Sequence, residues 1–179
     1  WMAVDPERPA VAAVLNGPPR PPLPEGTRPT RGTLCLDLLT TGAVPDGDAI
    51  ADYDAFHLLL ASPDGARLWS WDGEVRTEQE LAPGDHLVVN LGANTDADPL
   101  VGHFRPLLAG TEDPRLDDPE DLSGWAAWTD LLAGDGLDLE DPRALIIRKE
   151  VKGRTYGSTS ASLVALGPAG VRYAFNPDP

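Results

Sequence analysis

The chain has 179 residues, 41% of them hydrophobic, enough for one domain with a real core and too few for two comfortable ones, so residues 1–179 are expected to form a single domain. Its 29 Asp and Glu against 14 Lys and Arg give a formal charge of −15, which repels phosphate backbones and argues against nucleic-acid binding. No run approaches the ~20 apolar residues of a membrane helix, the start lacks the basic and apolar regions of a signal peptide, and Cys35 is the one cysteine; membrane insertion and disulfides are not expected, and a cytoplasmic location is.

In chain order, Trp1-Met2-Ala3-Val4 is apolar and strand-like from its first residue, as if the chain began inside a domain. Asp5-Pro6-Glu7-Arg8-Pro9 is turn chemistry, and Ala10 to Leu15 forms a second apolar run ending in Asn16-Gly17, so residues 1–16 are predicted to form a hairpin. Six prolines in 17–32 exclude helix or central strand and predict an extended internal loop. Leu34, Cys35, Leu38 and Leu39 then recur at helical spacing, predicting a short helix capped by Thr33 with Cys35 on its core face.

The rhythm changes at Phe56. Phe56 to Ala61, the turn Pro63-Asp64-Gly65 and the alternating Arg67-Leu68-Trp69-Ser70-Trp71 predict a β-hairpin. Asp72-Gly73 turns the chain into Glu74-Val75-Arg76, and Pro83-Gly84-Asp85 leads into His86 to Asn90, extending the pattern to an antiparallel meander. Two helices follow: one carries Leu100, Val101, Phe104, Leu107 and Leu108 around Pro106; the other carries Leu122, Trp125, Trp128, Leu131 and Leu132 behind a Ser123 cap. A tryptophan stripe serves as a ligand platform or as core, and this spacing favours core. The acidic clusters between 112 and 141 fail the spacing of a calcium loop and read as solvated loops, so no metal is assigned.

Ala144 to Arg148, a polar loop 149–160, and the runs Leu163 to Leu166 and Val171 to Phe175 around Gly167-Pro168-Ala169-Gly170 complete the chain, the last two as a hairpin. Hairpins at both ends with helices grouped between them define an α+β class with antiparallel sheet.

Chemistry is sparser. His57, His86 and His103 occur singly, and there is no nucleophile elbow, phosphate loop or dinucleotide motif, so no cofactor is assigned. Arg154, Tyr156, Ser158 and Thr159 cluster as an anion- or substrate-binding turn or as a polar strand entry, two readings that look alike in sequence. A small-molecule ligand or substrate is the partner class that remains.

Several segments, in order, resemble the NRDE family, which includes relatives of transport and Golgi organization protein 2. Trp1 to Val4 with Val11 to Asn16 resembles its "TWLGV…AALTN" hairpin, Arg31-Gly32-Thr33-Leu34 its "RG-x-L" helix, and Tyr53 to Leu59 its "YNGFNLL" strand. His86 to Asn90 resembles "GLSNA" and Tyr156 to Ser160 "YGTRS", whereas the Asn-Arg-Asp-Glu segment is absent and Thr159 stands where the family has arginine. The resemblance implies an N-terminal-nucleophile hydrolase-like αββα sandwich, truncated at its N-terminal side, acting on C–N amide bonds. In that chemistry the first residue, usually cysteine, supplies the nucleophile and its own amine takes the proton, a role that neither Trp1 nor Cys35 fits, which places the nucleophile upstream. Asn16 and Asn90 are carried over as catalytic donors to the oxyanion and substrate, since amide N–H groups suit a developing alkoxide; before Gly17 and at a strand end, they equally suit asparagines that satisfy local backbone groups. The alternative implied by the family is a non-enzymatic carrier that handles haem or lipid.

Overall fold

The computed structural model describes residues 1–19, 28–112, 123–167 and 170–179. Their fold is mixed α+β, and contacts group the chain into two compact units, Trp1–Thr95 with Leu166–Gly170, and Asp96–Ala165 with Val171–Pro179. Part of the proline-rich loop (20–27) and part of the acidic region (113–122) lie outside the described residues.

The first unit is built on five antiparallel strands in sequential order: β1 (Met2–Asp5), β2 (Ala10–Asn16), β3 (Phe56–Ser62), β4 (Gly65–Trp71) and β5 (Arg76–Leu81). Short side chains set the turns. Asp5 Oδ1 accepts from the Glu7 and Arg8 amides at 3.0 and 3.1 Å, holding the β1–β2 connection, and the Arg8 amide, ahead of its guanidinium, lowers the Asp5 pKa. Asp72 does the same for Glu74 and Val75 at 2.7 and 2.8 Å, so β5 begins at Arg76 rather than at Glu74. The hairpins at 1–16 and 56–71 form as the apolar runs and their turn residues predict.

One face of this sheet is covered by α1 (Thr33–Thr41) and by Ile50 of α2 (Gly47–Ala51), a short helix with no clear periodic signal. Leu34, Cys35 and Leu38 pack on Ala12, Val14, Phe56, Leu58, Trp69 and Trp71; each large side chain buried this way contributes about 1.5–3 kcal/mol. Cys35 is core, as its position on the apolar face requires. Thr33 is not the cap: it is the first helical residue, its hydroxyl donates to the Thr30 carbonyl, and Gly32 occupies the cap position without a side-chain bond. Gly42, at φ 70, ends the helix with its N–H on the Leu38 carbonyl, the left-handed conformation that glycine adopts most readily.

Residues 86–90 do not join the main sheet. Val88–Val89 (β6) pairs instead with Gly92–Ala93 (β7) across a two-residue turn, Asn90-Leu91. Asn94 closes this small hairpin: its Oδ1 accepts from the Leu87 amide at 2.9 Å and its Nδ2 donates to His86 Nδ1 at 2.8 Å. The apolar run in 86–90 finds its partner locally, so the meander ends at β5.

In the second unit, α3 (Pro99–Ala109) starts on Asp98, whose side chain accepts from Leu100, and buries Val101, Phe104 and Leu108. A 3-10 turn (Ser123–Trp125) runs into α4 (Ala126–Leu132), in which Trp125 rather than Ser123 takes the cap position. Trp125 is buried and Trp128 half-buried with its indole N–H on the Glu112 carbonyl, in keeping with packing rather than display. The 149–160 segment, expected as a loop, is mostly a hairpin of β8 (Arg148–Val151) and β9 (Arg154–Gly157). Lys152 and Gly153, at φ 51 and 73, supply the two positive-φ residues that a tight hairpin of favourable twist demands. Ala144 to Ile147 is irregular. β10 (Ala161–Gly167) and β11 (Gly170–Asn176) pair as a further two-stranded sheet.

Candidate functional site

At the end of the first unit's sheet, β2 runs out at Asn16, opposite Phe56 of β3. The chain then turns hard against β3. Gly17 donates its N–H to the Ala55 carbonyl at 2.8 Å, and a Cβ there would sit 2.7 Å from both the Ala55 carbonyl carbon and the Phe56 nitrogen. Only glycine allows this approach. The same Ala55 oxygen accepts from Arg31 Nη1 at 2.7 Å, so one buried carbonyl fixes both the exit of β2 and the arginine ahead of α1.

These features border a cleft of about 530 Å³ lined by Trp1, Val14, Leu15, Asn16, Arg28, Pro29, Thr30, Arg31, Asp54 and Asn90. The structure thus brings Asn16 and Asn90 to one cavity. Neither side-chain amide has a hydrogen-bond partner among the described residues, in contrast to Asn94 four residues on. Arg28 pairs with Asp54. A larger depression of about 940 Å³ near Leu60–Arg67 and Glu80–His86 is lined by the ends of β3, β4 and β5 and their turns and has no asparagine or glutamine in its described lining.

Asn90 is held by a residue that the sequence marked only as a lone histidine. His57, 5% exposed on β3, lies on the face opposite Phe56 and Leu58, with Nδ1 2.8 Å from Ser70 Oγ and Nε2 3.2 Å from the Asn90 carbonyl oxygen. A carbonyl can only accept, which assigns the proton to Nε2 and leaves Nδ1 to accept from the Ser70 hydroxyl in the neutral ring. Burial lowers the His57 pKa, opposed by the bond to Asn90. His57 therefore pins the tip of the β6–β7 hairpin to the sheet.

Cys35 borders this region from below, its Sγ 3.5 Å from the Trp1 carbonyl oxygen. Burial pushes its thiol pKa up, and a buried, protonated thiol is a poor nucleophile. Arg31 is shifted the other way: desolvation first, then the charge of Arg28, lower its pKa. Arg28, Arg31 and Asp54 at the cleft, and His57 behind Asn90, are candidate positions to which the sequence assigned no role. Their contacts span 24 residues from Arg31 to Ala55 and 33 from His57 to Asn90, beyond the reach of a local pattern.

The other candidate residues belong to the second unit. Arg154 and Tyr156 lie on β9 with exposed side chains, and Thr159 is exposed after it. Ser158 is engaged locally: its amide donates to the Ile147 carbonyl at 2.9 Å and its hydroxyl accepts from the Ile147 amide at 3.2 Å. It borders a recess of about 220 Å³ with Arg148 and Asp178.

No known protein family, curated protein or solved structure matches this chain. Among the described residues, no helix is long and apolar enough to cross a membrane.

Proposed function

We propose that the first unit carries the amide-binding part of an NRDE-type, N-terminal-nucleophile hydrolase-like domain, an αββα sandwich that acts on C–N bonds. The observation that carries this reading is the meeting of Asn16 and Asn90 at one cleft with both side-chain amides unengaged. Two N–H donors converging on one carbonyl oxygen stabilise the negative charge that develops there during acyl transfer, and one such donor is commonly worth about 2.7–4 kcal/mol of barrier. The His57 bond to the Asn90 carbonyl supplies the rigidity this task requires.

In this reading the nucleophile is an N-terminal cysteine whose own amine is its base, and Cys35, buried and with its thiol pKa pushed up, is not that residue. Among the described residues the cleft is lined largely by polar groups and by no histidine, cysteine or methionine, which favours amide binding over a haem carrier. In a form of the protein extended ahead of Trp1 and starting on cysteine, that cysteine should be alkylated by iodoacetamide faster than Cys35. Asn16→Ala or Asn90→Ala should cut its hydrolysis of an N-acyl amide by about 100-fold or more. Equal labelling of the two thiols, or hydrolysis indifferent to both substitutions, counts against the hydrolase.

A further inference from the structure

The charge around the same cleft is unlike that of the chain as a whole. In a protein of formal charge −15, Arg28 and Arg31 line this cavity against one carboxylate, Asp54. Arg28 is paired with Asp54, and its buried Nε has no partner. Arg31 is different. Among the described residues its guanidinium makes one hydrogen bond, Nη1 to the Ala55 carbonyl, and no ion pair. A guanidinium carries five N–H donors, so most of this one is unused. The Ala55 carbonyl orients the group without neutralising it.

Holding a half-buried cation beside a second cation is unfavourable, and both burial and Arg28 act against the charged form of Arg31. An anionic ligand group relieves both effects, and a guanidinium fork matches a carboxylate in plane and spacing. The formal charge of the two arginines and Asp54 is +1, which suits a monoanion; the nearby Asp54 disfavours a dianion such as phosphate.

We propose that the ligand of this cleft is an N-acyl amino acid or a closely similar carboxylate-bearing amide, its carboxylate meeting Arg31 and its amide carbonyl meeting Asn16 and Asn90. The cleft volume, about 530 Å³, lies within the usual range of small-molecule sites, roughly 300–1,000 Å³. This assignment rests on the amide-binding reading above and adds the charge of the substrate to it.

The test is a titration followed by amide chemical shifts, with N-acetylglycine, its neutral analogue N-acetylglycinamide, and inorganic phosphate as probes. N-Acetylglycine should bind about tenfold more tightly than the neutral amide, the range expected for one charge-assisted contact. Arg31→Met should abolish that preference, bringing the affinities for N-acetylglycine and N-acetylglycinamide together. Arg31→Lys, which keeps the charge and can still reach the Ala55 carbonyl, should retain part of the preference and serves as the control for folding. Equal binding of acid and amide by the unaltered protein overturns the carboxylate assignment while leaving the amide site standing. Phosphate binding more tightly than N-acetylglycine overturns it as well. Saturable binding of neither N-acetylglycine nor its amide overturns both readings.

Discussion

The cleft at the end of the first sheet and the β8–β9 hairpin of the second unit both present arginine beside neutral polar residues, and sequence alone ranks them alike. Their hydrogen bonds separate them. At the hairpin, Ser158 bonds the Ile147 backbone and Thr155 donates to Glu150 at 2.6 Å, so much of the polarity completes local structure. At the cleft, backbone groups satisfy one another and anchor Arg31 and Asn90, leaving the Asn16 and Asn90 amides and most of the Arg31 fork unengaged. A polar cluster becomes a site when its scaffold is held by other atoms.

Two glycines sharpen this comparison with the largest expected effects. Gly17→Ala forces a Cβ to 2.7 Å from β3 backbone and should lower stability by about 3 kcal/mol, read from urea unfolding, while weakening amide binding at the cleft. Gly157→Ala, whose Cβ would lie 2.5 Å from the Ile147 carbonyl oxygen, should destabilise the β8–β9 hairpin similarly and leave amide binding intact in the protein that remains folded. If Gly157→Ala abolishes binding and Gly17→Ala does not, the sites have been assigned to the wrong hairpins.

Side-chain deletions should separate the regions at a smaller scale. Ser158→Ala removes an acceptor from a half-buried amide and should cost about 1 kcal/mol with no change in N-acetylglycinamide affinity. Asn16→Ala should do the reverse, changing stability by less than about 0.5 kcal/mol and weakening binding severalfold. Matched urea curves and titrations on the two variants check both halves.

The smallest effect is set by pH. Burial holds His57 below its ordinary pKa of about 6.5, so the unfolded chain binds the proton more readily than the folded one. The stability contributed by neutral His57 is therefore present above about 6.5 and is lost as pH falls from there through the lowered folded value. His57→Gln should flatten that part of the stability profile and loosen the Asn90 turn. An unchanged slope between pH 7 and 5 would show that His57 is not held neutral.

Much of the first sheet was legible because its strands are short apolar runs, or in Arg67 to Trp71 an alternation, bounded by turns that carry Asp, Pro and Gly. The helix of Leu34, Cys35 and Leu38 was legible from spacing. Val88-Val89 misled because a short apolar run does not reveal whether its partner lies across a sheet or across two residues. The β8–β9 hairpin was hidden by polar composition, although Lys152-Gly153 is a turn signal in retrospect. The site was legible only in its asparagines. Arg31 meets Ala55 24 residues on, and His57 meets Asn90 33 residues on; strand register creates such contacts, and no local pattern announces them.

The central claim is that Asn16 and Asn90 bind one amide together. Following their side-chain NH₂ resonances while N-acetylglycinamide is added tests it most directly. The account requires both pairs to shift saturably with a single dissociation constant. Shifts in neither, or shifts confined to Arg154, Tyr156 and their neighbours, would contradict it.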